Sequence, residues 1–338
     1  MKISRDALLL PVDGLEQRKM ETVDFKDVDH YEEDGVTPVF KKHLKERTIL
    51  TKRTRADKIL FGIVFVIFLI QSISLFIPIA WLFMSSLKMP NEFFSVQPFL
   101  GHSQSALPLF WEFENYIEIF SNPNFKFMTM LFNSLWYTLT GTALEIFLPT
   151  MTAYVLSRYK FFGRNFLYTL IVITLMIPIV GTTGAALRFF GFLRVYDTLM
   201  FPLVAGLGGG FSGIFLVYYG FFKTISESYS EAARIDGAGH FTIFFRIILP
   251  QAAPIIFTYA ITQAIGRWND YISVLTYMKS HPTLASGLYE LEKEQMHSDG
   301  DYPVYFAGLF LSLLPPVILF ATFSQKIMTS VSIGGLKG

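Results

Sequence analysis

Three ionisable residues stand where ionisable residues are expensive. Glu145 lies inside an apolar stretch running from about Phe127 to Leu156. Arg267 and Asp270 lie in the distal half of another, from about Ala252 to Tyr277. A charged side chain in a membrane span is costly and faces a bundle interior or a cavity. Glu145 therefore reads as a polar lining group or a partner to another helix, or else as a structural hydrogen bond within a bundle. Arg267 and Asp270 are three apart, which puts them on one helical face and predicts a local ion pair; contact with a solute is the second reading. Trp268 and Asn269 sit between them and complete five candidates for a translocation path or an intramembrane polar site.

Other chemistry is missing. There is no Cys, which excludes disulfides, zinc–thiolate sites, iron–sulfur clusters and thiol catalysis. No G-x-x-x-x-G-K-[ST] phosphate loop and no H-E-x-x-H zinc motif occurs, nor a G-x-S-x-G nucleophile elbow. His30, His43, His102, His240, His281 and His297 are scattered. No catalytic residue, metal site or cofactor is therefore expected in the chain itself.

The elements that must position these residues are long and apolar. Of 338 residues, 52% are hydrophobic and only 16% charged, against about 25% charged in soluble domains. Six stretches approach the roughly 20 apolar residues needed to cross a bilayer. They are Ile59–Met84, about Phe127–Leu156, Phe166–Leu187, Leu199–Phe222, about Ala252–Tyr277, and Val304–Phe323, the last broken by Pro315-Pro316. The fourth carries a Gly-rich run, Gly206 to Gly213, that reads as close helix packing or as a flexible gating point. The expected fold is an all-α membrane protein with six transmembrane helices. The net charge of +1 argues against a nucleic-acid partner.

Lys and Arg fix the expected orientation. With six spans, 21 of the 28 lie on the side that holds both termini and six on the other. Eight of them crowd Lys41–Lys58, just before the first span, where they would meet anionic membrane lipid. Both termini are thus expected in the cytoplasm of a multi-pass plasma-membrane protein. No early apolar run of signal-peptide length precedes Ile59. Residues 1–58, acidic over 20–34 and basic over 41–58, are expected to be a cytoplasmic extension, partly disordered or a docking segment. The outer loop 88–126 is aromatic (Phe93, Phe94, Phe110, Trp111, Phe113); the outer loop 278–303 is acidic (Glu290, Glu292, Glu294, Asp299, Asp301).

The cytoplasmic loop 223–251 is patterned. Ser228 and Glu231 have capping-box spacing and predict a helix from Tyr229. Ala232, Ala233 and Arg234 favour helix, and Gly237 supplies a left-handed stop. A second short helix follows with Phe241, Phe244, Ile247 and Ile248 on one face, ended by Pro250. Two short helices would meet at a glycine hinge, with small Ala side chains leaving a surface another protein can approach.

Glu231-Ala232-Ala233, Gly237, Ile247 and Leu249-Pro250, with Asp236 preceding the glycine, resemble the EAA loop of permease subunits of bacterial binding-protein-dependent ABC importers. Ala153-Tyr154-Val155-Leu156-Ser157-Arg158 with Gly163-Arg164, Leu175-Met176-Ile177-Pro178, Trp268-Asn269-Asp270 and Gly334-Gly335-Leu336-Lys337-Gly338 resemble its carbohydrate, maltose-type branch. The resemblance covers about residue 59 to the end; the long N-terminal extension departs from the family's short start. It implies the type I ABC importer transmembrane fold, with the first span and its loop at 59–126 outside a core at 127–325, and a tail at 326–338. It implies a second homologous permease subunit, two cytoplasmic ATPase subunits that use ATP and Mg, and an extracellular solute-binding protein delivering a sugar or oligosaccharide. Glu231, Ala232, Ala233, Asp236, Gly237, Ile247, Leu249 and Pro250 would then form the ATPase-coupling contact. A different solute (peptide, polyamine or anion) on the same architecture, or a self-sufficient secondary transporter or channel, are the alternatives.

Overall fold

The computed structural model describes residues 28–31, 38–40, 55–90, 108, 111–123, 125–177, 181–297 and 302–334. The rest of the N-terminal extension, Phe93, Phe94, Phe110, Pro178, Asp299, Asp301 and the residues after Gly334 lie outside them. The chain divides between Leu75 and Phe76 into two units.

The first unit holds two short antiparallel strands, β1 (Val28–Tyr31) and β2 (Pro38–Phe40), with Val28 opposite Phe40 and Tyr31 opposite Pro38. This small pairing is the one departure from the all-helical expectation among the described residues. The unit also holds most of α1 (Arg55–Ser85). Ile59 to Leu75 are apolar on every side of that helix and almost all exposed, the pattern of a helix that meets lipid.

The second unit is helical throughout its described residues. It continues with α2 (Glu114–Ser121), α3 (Phe127–Arg158), α4 (Arg164–Met176) and α5 (Thr183–Phe192). Next come α6 (Phe201–Gly206), a tight turn of helix at Leu207–Phe211, α7 (Ile214–Thr224) and α8 (Ser228–Ile235). The chain closes with α9 (His240–Trp268), α10 (Tyr271–Tyr277), α11 (Leu284–His297) and α12 (Tyr302–Gly334).

Four helices are long and apolar enough to span a membrane, α1, α3, α9 and α12, and α6 with α7 makes a fifth if counted as one bent span. Four of the six stretches differ from expectation in detail. The third ends as a helix at Met176, because Ile177 precedes Pro178 and takes extended geometry (φ −80°, ψ 116°); a residue before proline is pushed out of the α region. Its 13 residues reach only about 20 Å at 1.5 Å per residue. The fourth bends by 51° at Ser212-Gly213, where Ser212 is extended.

The fifth starts earlier and stops sooner than expected. Pro250 does not end a helix; it sits in the first turn of a helical run that continues to Trp268. Ile243–Ile248 form a π-helical turn just before it, and i→i+5 pairing loosens the position where the proline ring would clash with the carbonyl four residues back. Nor do Pro315-Pro316 break the sixth, since α12 runs through both.

Two buried clusters hold the bundle at opposite ends. One joins Tyr154, Leu156, Phe215, Phe222, Ala233, Phe244 and Ile248. There Arg158 Nη2 donates to the Ile225 carbonyl and Tyr159 Oη pairs with His240 Nδ1 at 3.0 Å, so loops 157–165 and 223–242 share an end. The other cluster joins Ile119, Phe125, Phe127, Trp268, Leu284 and Leu288. At that end Asp197 accepts from the Ser280 backbone N–H (2.7 Å) and hydroxyl (2.6 Å), tying loop 193–200 to loop 278–283. The loops thus gather in the alternating groups expected from the spans.

Candidate functional site

Glu145 and Arg267 face each other across the bundle, from α3 and α9. Arg267 Nε donates to Glu145 Oε2 at 3.0 Å and Nη2 to Oε1 at 2.6 Å, the two-pronged geometry that guanidinium and carboxylate favour. Their side chains are only 12% and 26% exposed. The backbone is cleared for this contact: a β-carbon at Gly141, one turn before Glu145, would lie 2.5 Å from the Arg267 guanidinium. A β-carbon at Gly209 would lie 2.9 Å from the Glu145 Cα, so the Gly-rich run does pack tightly against α3.

The expected Arg267–Asp270 ion pair is absent. Helix α9 ends at Trp268, Asn269 caps it, and Asp270 leaves helical geometry (φ −79°, ψ 88°), so the shared face required for that pair does not exist. Asp270 instead caps α10, accepting from the Ser273 N–H at 3.0 Å, and accepts from the Tyr137 hydroxyl at 2.8 Å. The Arg267 guanidinium lies 5.1 Å from the centre of the Tyr137 ring. Tyr137, Glu145, Gln263, Arg267, Asp270 and Ser273, with Phe201 and Ala205 behind them, border a cavity of about 500 Å³.

Trp268 and Asn269 are elsewhere. Trp268 is buried, and its indole N–H donates to the Ser312 carbonyl at 3.0 Å. That carbonyl is the one Pro316, four residues on, cannot serve, because proline has no N–H. Trp268 so supplies the bond that α12 loses at Pro316. Asn269 is exposed and donates to the Ile265 carbonyl at 2.9 Å. Sequence reasoning did not single out Tyr137, Gln263 or Ser273. Gln263 sits four residues before Arg267, a spacing that places both on one face and could have flagged it; Tyr137 is one of 16 tyrosines with no local mark.

The 223–250 loop is built mainly from short-range bonds. The expected capping box is not formed: Ser228 opens α8 with no side-chain cap, and Ser226 Oγ, two residues earlier, accepts from the Ser228 N–H at 3.3 Å. The stop is formed. Gly237 has φ +80°, its N–H bonds the Arg234 carbonyl at 3.0 Å, and the Ala238 N–H bonds the Ala233 carbonyl at 2.9 Å. This is the double closure that ends a helix in a left-handed glycine. Ala233 is buried in the cluster with Tyr154 and Phe244, while Glu231, Ala232, Asp236, Gly237 and Pro250 are exposed and Ile247 and Leu249 half-buried. Of the predicted face of the second segment, Phe244 and Ile248 are buried together with Ile243, but Phe241 is 76% exposed, because the π-helical turn shifts the register. Phe241, Ile235 (87% exposed) and Tyr229 (54%) leave apolar surface around α8 uncovered.

Residues 145–329, from Glu145 through the loop and into α12, match the family of the binding-protein-dependent transport system inner membrane component. The chain belongs to that family. It is 30% identical over 284 residues to the diacetylchitobiose uptake system permease protein NgcG of Streptomyces coelicolor, covering 82% of this chain and 90% of that one. It is 29% identical to the arabinooligosaccharides transport system permease protein AraQ of Bacillus subtilis, over 80% of this chain and 94% of that one. Its fold resembles a chain in the crystal structure of a bacterial ABC transporter involved in the import of the acidic polysaccharide alginate, with TM-score 0.65 and 24% identity over 80% of this chain and 98% of the other. This permease is a multi-pass, predominantly α-helical membrane protein with the ABC-importer transmembrane fold.

Proposed function

We propose that this permease forms part of the path for a sugar or oligosaccharide and takes its energy from cytoplasmic ATPase subunits through the 223–251 loop. The observation that carries the reading is the build of α8. A short helix locked by the Gly237 closure, rooted in the bundle through Ala233 and leaving Tyr229, Ile235 and Phe241 uncovered, can receive a push and pass it to α9. The names of the relatives NgcG and AraQ support a saccharide. On this reading α8 and both chain ends lie in the cytoplasm, a second permease completes the path, and an extracellular binding protein delivers the solute at the Asp197–Ser280 end. Hydrolysis of ATP with Mg belongs to the partner ATPases; Glu231 and Asp236 would offer negative charge to them. The test is reconstitution in vesicles with the second permease, ATPases and binding protein. Ile235→Asp should leave the permease inserted but lose the ATPase subunits on co-purification and end ATP-driven uptake. Retention of the ATPases with full uptake, or saccharide uptake by this chain alone, would refute the reading.

A further inference from the structure

The charge of the cavity beside Glu145 has consequences for what it can hold. Arg267 is the cation among its lining residues, and Nε and Nη2 of its guanidinium are engaged by Glu145, whose charge balances its own. Asp270 adds a second carboxylate, so these groups carry one unbalanced negative charge. Neither carboxylate is free to be replaced by a solute at no cost: Glu145 holds Arg267, and Asp270 holds Tyr137 and the start of α10. Two uncharged polar side chains also line it: Gln263, half-buried four residues before Arg267, and Ser273, half-buried three residues after Asp270 with its hydroxyl beside that of Tyr137.

An anionic solute entering here meets a guanidinium whose charge and Nε/Nη2 edge are taken by Glu145, and two carboxylates of its own sign. Coulomb repulsion in a site of low effective dielectric is several times stronger than in water. A hydroxyl-rich neutral solute can use the amide of Gln263 and the hydroxyl of Ser273, and an ammonium group gains from the surplus negative charge. We propose that this cavity admits neutral or amine-bearing saccharides and turns away carboxylate-bearing ones. The discrimination rests on the Glu145–Arg267 bond, which neutralises the lone guanidinium and leaves the Asp270 carboxylate as surplus charge. The inference rests on the saccharide reading above and narrows its substrate class.

The test is direct binding to the detergent-solubilised permease–ATPase complex without the binding protein, so that the permease's own preference is read. The probes are a neutral disaccharide, its hexuronate counterpart and its hexosamine counterpart. The wild-type complex should bind the uronate about tenfold or more weakly than the neutral sugar, the order of effect of one misplaced charge. Glu145→Gln releases Arg267 and should raise the uronate-to-neutral affinity ratio about tenfold. Asp270→Asn, which removes the surplus charge without touching the Arg267 bond, should raise it less. Gln263→Leu should weaken all three probes alike, since that contact is uncharged. Equal binding of uronate and neutral sugar by wild type, or an unchanged ratio in both carboxylate variants, overturns the proposal while leaving the importer reading intact. If no saccharide binds the complex although the complete importer still transports one, the cavity is not the site. If the complete importer transports no saccharide at all, it is the underlying reading that fails.

Discussion

The α8 loop and the Glu145 cluster are both polar exceptions in an apolar chain, and they are held in opposite ways. In the loop, the bonds that close α8 join residues three to five apart, such as Gly237 to Arg234 and Ala238 to Ala233. In the cluster, Arg267 reaches Glu145 across 122 residues and Tyr137 reaches Asp270 across 133. The loop presents apolar side chains outward, and the cluster withdraws charges inward. A device assembled from neighbours keeps its shape while a partner comes and goes, which suits the docking role proposed for the loop. A device assembled from distant helices changes whenever those helices move, which suits the solute path proposed for the cluster.

The contrast predicts where substitution is felt. Glu145→Ala strands Arg267 in the bundle, and breaking a buried pair by removing one partner costs about 3–5 kcal/mol; the partial exposure of Glu145 points to the lower end. Arg267→Ala together with Glu145→Ala should cost clearly less than the sum of the single changes, as read by denaturant unfolding of the purified complex. Strict additivity would dissolve the pair as an energetic unit.

Gly237→Val should cost about 1–2 kcal/mol from its left-handed backbone alone, because nothing lies within 4 Å of the β-carbon it would add. Insertion should survive and ATP-driven uptake should not, while Gly237→Asn, which tolerates that conformation, should retain most of it. Wild-type uptake by the valine variant would break the coupling assignment.

Trp268→Phe keeps the ring but orphans the Ser312 carbonyl, for about 1 kcal/mol. Combined with Pro316→Ala, the cost should vanish, since an alanine N–H can serve that carbonyl. An undiminished cost in the double variant would show that the indole bond is incidental.

The smallest effect concerns the far end. Hydrogen bonds from Ser280 hold the Asp197 carboxyl below the ordinary carboxylate range. A depressed folded value means the contribution is present above about pH 4, the ordinary value for the unfolded chain, and fades as pH falls through the folded value. Asp197→Asn should lower the melting temperature at pH 7, and the gap to wild type should be smaller at pH 3. An equal gap at both values would assign the effect to something other than ionisation.

Particular residues show how far the sequence could be read. The stop at Gly237 was legible because a left-handed closure needs only the residues beside it. The Ser228–Glu231 box was a plausible local alternative that lost to Ser226, a choice within one turn that spacing does not resolve. Pro250 and Pro315-Pro316 look like breaks along the chain, yet the π-helical turn at Ile243–Ile248 and the indole of Trp268 accommodate them. The Arg267–Asp270 pair failed for a related reason: it assumed a helix continuing through Asn269.

The sequence by itself determined that this chain lives in a membrane, where its helices begin to be apolar, and which loop is closed by its own neighbours. These follow from composition, period and near-neighbour bonding. The tertiary structure decided which carboxylate answers Arg267, what satisfies the carbonyl that Pro316 leaves bare, and which polar groups share a cavity. Those partners lie on different helices, and bringing distant helices together is a matter of packing that no local spacing encodes.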